Sequence, residues 1–244
     1  MPAPDGLPET HGRRTDAAPP AAGHPSPRHF PAPGLAMSRE TAQLRRRYER
    51  IAPYYDGLDA LFERFRYRRI RPLLFAGLGG SILDAGVGTG RNMPFYPHGA
   101  DVTGVDLSRA MLRRAARRRA ASPARVAIVE MDLARLAFPD GTFDAAVASF
   151  VFCTLPDALQ LAALRELARV VRPGGSIRLM EYTRPHGGIR RRLAALWAPW
   201  VRWAYGASFD RDPQPRLAAA GLSLVATRCV VDDLIRLIET TPRR

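Results

Sequence analysis

The chain contains no lysine; all 37 of its basic side chains are arginine. That absence removes several chemistries at once. A Walker-type phosphate loop, a pyridoxal Schiff base, a protein-kinase site and a Tyr-Lys dehydrogenase relay each need a lysine amine. Cysteine is scarce as well. Cys153 and Cys229 are the only two, too few for a disulfide framework and without the spacing of a zinc site, so no metal is expected. Long apolar runs are missing. The longest good one, Ala145 to Pro156, is bounded by Asp144 and Asp157 and falls short of the roughly 18 residues that suggest a spanning helix. The N-terminus lacks the apolar core of a secretory signal, which makes a cytoplasmic location the expectation.

The 244 residues are 46% hydrophobic and 25% charged, which suits one sizeable α/β domain with its own core. The net charge of +14 is a separate matter. A GC-rich genome accounts for arginine in place of lysine but not for the surplus of positive charge. That surplus points to an anionic surface, either phospholipid headgroups or nucleic acid.

Residues 1–36 hold nine of the 22 prolines, three of the five histidines and three arginines against three acids, with no periodic apolar pattern. Such a segment buries too little apolar area to offset chain entropy and is expected to be disordered. Met37, where the ordered pattern begins, is an alternative start to Met1. From 37 to 80 a helical lid segment is expected, broken near Pro53, with Leu58, Leu61, Phe62, Phe65 and Ile70 at mostly three- and four-residue steps. Residues 81–244 then alternate strands and helices. Strands are expected at 81–85, 101–106, 125–130, 143–149, 176–182, 222–230 and 233–239. Helices are expected from an N-cap at Ser108, from Pro156 to about Val170, and at 213–220, where Gly221 ends the last. Arg172-Pro173-Gly174-Gly175 reads as a stop and turn. The pattern predicts a doubly wound, Rossmann-like, seven-stranded and mostly parallel sheet, with ligands at the strand C-termini. An Arg- and Trp-rich insertion spans 184–212.

The most informative stretch is ILDAGVGTG (82–90) followed by VTGVD (102–106). Two short strands each deliver an acid, Asp84 and Asp106, with Gly86, Gly88 and Gly90 between them. Glycine lets backbone amides approach a ligand, because no Cβ intervenes. Asp106, 20 residues beyond Gly86 at the next strand tip, is placed to hold the two hydroxyls of a ribose. A nicotinamide enzyme would share that acid. Against it, Arg91 stands where the third fingerprint glycine would be, no lysine exists for the proton relay, and Asp132 has no role.

With these strands placed, the chain resembles the class I S-adenosylmethionine-dependent methyltransferases. The likeness is to the branch holding the ubiquinone/menaquinone C-methyltransferases and bacterial phosphatidylethanolamine N-methyltransferases. YERIAPYYD (48–56), ILDAGVGTG, VTGVDLSRAML, MDLARLAFPDGTFDAAVASFVFCTLPD (131–157) and RELARVVRPGG (165–175) match the family's motifs in order. The resemblance implies S-adenosylmethionine as cofactor. It implies Asp84 on the methionine ammonium, Gly86, Gly88 and Gly90 exposing backbone, Asp106 with Leu107 at the ribose, Asp132 with Leu133 at the adenine, and Ser149 and Phe150 beside the methyl donor. Tyr55 is the expected lid side chain and Glu181, at the end of strand five, the expected carboxylate on the acceptor side.

Many relatives carry a His-His pair after strand four, where this chain has Cys153 and Thr154. His98 and His186 read as surface histidines, and Cys153 as a packed side chain. The acceptor is expected to be a small or lipid-like molecule, phosphatidylethanolamine or a prenylated quinol. Residues 189–206 (IRRRLAALWAPWVRWAYG), which contain every tryptophan, suggest peripheral contact with the inner membrane face. A nucleic-acid methyltransferase fits the charge. However, Ser149-Phe150-Val151-Phe152 stands where a base-amino enzyme carries Asn or Asp, two prolines and an aromatic, so nucleic acid is disfavoured as the partner.

Overall fold

The computed structural model describes residues 37–184 and 187–243, without side chains at several positions of the helix near 189–204. The disorder expected of 1–36 and the surface place expected of His186 lie outside the described residues. Seven strands form one sheet in the order β3-β2-β1-β4-β5-β7-β6. They are β1 (Ser81–Ala85), β2 (Asp101–Asp106), β3 (Arg125–Glu130), β4 (Phe143–Ser149), β5 (Val171–Tyr182), β6 (Leu222–Val231) and β7 (Ile235–Pro242). Only β7 runs against the rest, pairing antiparallel with both β5 and β6.

Alternation along the central strands explains the two-faced core. Leu83 and Ala85 of β1, Ala146 and Ala148 of β4, and Ile177 and Leu179 of β5 pack on one face with Leu164 and Leu167. Ile82, Ala145, Val147 and Met180 pack on the other with Leu74, Phe75 and Leu112. A strand period of two sends neighbours to opposite faces, and a parallel sheet covered on both sides needs apolar residues on each. The covering helices are α1 (Arg39–Leu58), α2 (Ala60–Phe62), α3 (Arg68–Phe75), α4 (Arg109–Arg118), α5 (Asp157–Val170) and α6 (Gly188–Tyr205). Strand order reverses between β1 and β4, so a crevice opens at their C-terminal ends.

Two local expectations are corrected. α1 continues through Pro53 to Leu58, with Asp59 as its C-cap. A proline removes one helical N–H bond, to the carbonyl four residues earlier, and the rest of the turn continues past it; Pro53 O accepts from Arg114 Nη2 at 2.9 Å, which ties this stretch of α1 to α4. A widened π turn, Glu63–Tyr67, then joins α2 to α3 and brings Tyr67 inward to 6% exposure. The apolar stripe that marks this region, Leu58, Leu61, Phe62 and Phe65, faces outward.

Arg172–Gly175 likewise does not end before β5 but lies within it, as a bulge that shifts the β4–β5 register between Phe143 and Ala145. Gly175 is required there, because a Cβ would lie 2.5 Å from Val171 Cγ1 and 2.6 Å from Asp144 O. Gly175→Ala should therefore destabilise the fold by about 1–3 kcal/mol, the usual cost of overpacking. A thermal melt shifted down by several degrees is the expected result.

Candidate active site

The glycine turn after β1 is tied directly to β2: the amides of Gly86 and Val87 both donate to Val105 O at 2.9 Å. Gly86 has φ +75, and a Cβ there would meet Val151 Cγ2 at 2.4 Å. Asp106, at the tip of β2, closes the turn. Its Oδ2 accepts from Gly88 N at 3.0 Å and its Oδ1 from Ser108 N at 2.8 Å. Each oxygen has further acceptor capacity. Burial pushes this carboxyl up to about 6, against the two amides that favour its charged form.

Asp106 and Leu107 line an inner chamber of about 90 Å³ with Met111, Met131, Asp132 and Leu133. Apolar walls there suit a flat ring. Asp132 spans two elements, its Oδ1 accepting from Ala134 N at 2.9 Å and its Oδ2 from Thr41 Oγ1 at 3.1 Å.

A second, outer chamber of about 500 Å³ adjoins it. Tyr48, Tyr55, Gly86, Gly88, Ser149, Phe150 and Thr154 line both. Ser149 and Phe150, expected beside the methyl donor, thus stand at the junction, and Tyr55, the expected lid side chain, is in the shared wall. The outer chamber is aromatic. Phe150 lies 5.0 Å from Tyr67 and 4.9 Å from Tyr182, Tyr182 lies 5.4 Å from Phe209, and Tyr55 lies 5.6 Å from Tyr205. The Tyr67 and Tyr182 hydroxyls are hydrogen-bonded to each other. Burial holds the phenols of Tyr48, Tyr55, Tyr182 and Tyr205 above their ordinary value and pushes Tyr67 up to about 12, so all stay protonated at neutral pH.

Three sequence expectations change. Asp84 is wholly buried and lines neither chamber. Its carboxylate accepts from Tyr96 Oη at 2.6 Å and from Asn92 Nδ2 at 3.1 Å, so here it supports the lining residue Asn92 and does not itself open onto either chamber, as the expected contact with an ammonium would need. Gly90 also lines neither chamber. A Cβ on it would come within 3.0 Å of Ala115 Cα, so it serves the packing of the turn on α4.

Glu181 does not face the acceptor side. It is 1% exposed, with Oε1 accepting from Val151 N and Phe152 N at 2.8 Å and Oε2 from Cys153 N at 3.0 Å. These amides follow Phe150, whose φ of 58° is a conformation that a bulky residue rarely adopts. Glu181 holds the strained elbow that places Ser149 and Phe150. Burial pushes its carboxyl up to about 7 even against three amide donors.

Sequence reasoning missed Arg71 and Asn92. Arg71, 5% exposed, lines the outer chamber and makes a two-pronged pair with Glu63 at 2.9 and 2.8 Å. Its Nη1 donates to Asn92 Oδ1 at 2.5 Å, and Asn92 Nδ2 donates to Ser149 Oγ at 3.1 Å. One arginine among ten between residues 39 and 71 carries no signal that marks it as buried. Asn92, two residues after Gly90, was at least adjacent to a motif.

Asp56 of the Tyr55-Asp56 motif anchors α1 to the glycine turn. It accepts from Thr89 Oγ1 at 2.8 Å and Arg118 Nη2 at 2.9 Å, and pairs with Arg91 at 3.3 Å. Burial raises its carboxyl, but these donors outweigh it and hold the group below its ordinary value. His98 is exposed, as expected. Cys153 lines the outer chamber with its thiol pushed well up by burial, which removes it as a nucleophile.

The methyltransferase domain family matches residues 82–175. A phosphatidylethanolamine N-methyltransferase of Cereibacter sphaeroides is 34% identical over 206 residues, covering 83% of this chain and 92% of the relative. The chain belongs to the class I S-adenosylmethionine-dependent methyltransferases. The ubiquinone/menaquinone biosynthesis C-methyltransferase UbiE of Syntrophotalea carbinolica is 36% identical over 165 residues, covering 64% of this methyltransferase and 66% of the relative. The crystal structure of the [4+2]-cyclase SpnF superposes with a TM-score of 0.64 at 17% identity, covering 85% of this chain and 98% of that one, and shares its fold.

S-adenosylmethionine fits the observed residues. Asp106 retains acceptor capacity for ribose hydroxyls, Asp132 and Leu133 offer an acceptor and an apolar wall, and Gly86 and Gly88 leave the backbone open at the junction. Charge-assisted bonds of the Asp106 kind contribute about 1.5–3 kcal/mol each. Asp106→Ala should thus weaken cofactor binding about tenfold or more by calorimetry. Only the charged carboxylate can accept from both hydroxyls, so affinity should fall as the pH drops through about 6. In Asp106→Asn that part of the pH dependence should be gone. Glu181→Gln replaces an acceptor oxygen by an amide that cannot accept from a backbone N–H. It should cost about 1–3 kcal/mol of stability and lower kcat more than it changes cofactor affinity.

Proposed function

We propose that the enzyme methylates the amine of a lipid headgroup at the membrane surface, phosphatidylethanolamine being the fitting acceptor. The observation that carries this reading is the make-up of the outer chamber: aromatic rings with Asp59, Asp232 and Asp233 beside Arg66, Arg71 and Arg91, and no histidine among the described residues that line it. An oxygen or carbon nucleophile needs a base, whereas an amine needs only to shed its proton. Tyrosines kept protonated and a Glu181 fully engaged with amides are poor bases. Asp59, which burial pushes up to about 6, is the lining carboxylate suited to accept the amine's proton.

Aromatic faces attract ammonium and methylammonium groups, by about 0.5–2 kcal/mol each. They suit an acceptor that gains positive character as it is methylated. The bound cofactor supplies a methyl group already activated on a sulfonium. The chain's part is to hold the amine in line and exclude water, and positioning of this sort contributes about 7–11 kcal/mol. Residues 37–80 act as the lid, with Tyr55 facing both chambers.

Contact with the membrane is supported by the outward stripe. Leu58, Leu61, Phe62 and Phe65 are exposed, with Arg64, Arg68 and Arg69 exposed among them, and Phe62 also lines the outer chamber. Apolar side chains ringed by arginine suit an anionic interface. In 189–206, Leu196 and Trp203 are exposed, while the side chains of Arg190, Arg191, Trp197 and Trp200 lie outside the described residues. Among the described residues no helix is long and apolar enough to cross a membrane. A prenylated quinol is the second reading, favoured by the likeness to UbiE.

Labelled S-adenosylmethionine incubated in parallel with phosphatidylethanolamine vesicles, a prenylated demethylquinol and total RNA separates these readings. Label is expected in the amine lipid. Uptake by the quinol alone would move the acceptor to carbon, and uptake by RNA alone would overturn the lipid assignment.

A further inference from the structure

We propose that the groove between α1 and α6 is a phosphate subsite, which takes the phosphodiester of the phospholipid whose amine enters the outer chamber. This rests on the amine-lipid reading above. The groove measures about 730 Å³ and is lined by Arg47, Arg184, Arg202, Trp203, Phe209 and Asp210. It adjoins the outer chamber, with Ala207 and Phe209 lining both spaces. A headgroup lying across that shared wall would have its amine on one side and its phosphate on the other.

The charges in the groove are unevenly satisfied. Arg184 is paired with Asp210 at 2.6 Å, and Asp210 is the only acid among the described residues of the lining. Arg47 and Arg202 pair with no carboxylate among the described residues. Arg47 Nη1 instead donates to Arg202 O at 3.1 Å, leaving the other N–H groups of both guanidinium forks for an anion. Planar forks of this kind match phosphate oxygens.

The surroundings keep Arg47 in place. Gly206 ends α6 with φ +68, and a Cβ there would lie 2.1 Å from Arg47 Nη1, so this glycine makes the room the guanidinium occupies. Tyr48 Oη donates to Tyr205 O at 3.0 Å, which latches α1 to α6 beside it. The shared wall is fixed from behind. Arg211 Nη1 donates to the carbonyls of Gly206, Cys153 and Thr154, and Ser208 N donates to Cys153 O at 2.8 Å.

A phospholipid is favoured over a free phosphate because the groove borders apolar surface. Trp203 in its lining is 79% exposed, and Leu196, seven residues earlier on α6, is 75% exposed. An exposed tryptophan beside arginines suits the level of lipid headgroups.

The test uses the full-length enzyme with acceptors dispersed in neutral-detergent micelles, so that bulk surface charge plays no part. Two acceptors are compared, phosphatidylethanolamine and a long-chain alkyl ethanolamine that lacks phosphate. In Arg47→Gln/Arg202→Gln, KM for phosphatidylethanolamine should rise about tenfold or more, while KM for the phosphate-free amine and the calorimetric affinity for S-adenosylmethionine stay at wild-type values. Arg202→Gln alone keeps the Arg202 carbonyl that Arg47 uses, so it should show a smaller rise in KM with an unchanged melting temperature. A double variant with wild-type KM for phosphatidylethanolamine overturns the subsite and leaves the amine reading standing. A wild-type enzyme that methylates neither amine overturns the amine reading itself. Competition by millimolar inorganic phosphate, with lipid KM unmoved by the variants, would make the groove an ion site and overturn its assignment to the lipid.

Discussion

Three backbone amides converging on one buried carboxylate organise the catalytic face. Val151, Phe152 and Cys153 all donate to Glu181, and β4 therefore ends in a tight elbow with Phe150 in the left-handed region. Strain of this kind persists only where surrounding bonds over-determine it. Here the amides lie in the turn directly after β4 and Glu181 lies on β5, and the two strands pair up to Ser149 and Met180. The ring of Phe150 and the hydroxyl of Ser149 are thereby presented to both chambers. A carboxylate that looks catalytic by its place at the end of a strand serves as an anchor.

The electrostatics follow a division of labour. Acids face inward at the turn between β1 and α4, where Asp56, Asp84 and Asp106 are each held by donors from neighbouring loops or helices. The arginines near the site differ in setting. Arg71, Arg91 and Arg118 are engaged by carboxylates and carbonyls that bind α1–α3 to the glycine turn. Arg64, Arg68 and Arg69 face solvent beside exposed apolar side chains. Exposed arginines also lie on α1 and α4, among them Arg46, Arg50, Arg113 and Arg117, so the excess positive charge is spread over several faces, and charge of that sort acts on encounter more than on fold.

Much of the architecture was legible from pattern alone. β1 to β4 begin and end where the alternation of apolar residues and the acid or glycine punctuation place them, and Ser108 caps α4 through Met111 N as its residue type suggests. Boundaries went astray at Pro53 and at Arg172–Gly175. At Arg172–Gly175 a local breaker is overruled by pairing with β4, a partner distant in sequence, while at Pro53 the helix continues with one hydrogen bond fewer and is tied to α4 through Arg114.

The chain by itself determined the fold class, the cofactor and the residues at the strand tips, because backbone hydrogen bonding and glycine turns obey short-range rules that a linear motif records. Tertiary structure alone decided which of those residues open onto a cavity. Asp84 and Glu181 occupy equivalent-looking strand ends to Asp106, yet both are sealed by donors from other segments, and Arg71 reaches the chamber only through a π turn. Burial is a property of everything packed around a side chain, and neither spacing nor residue type along one strand specifies it.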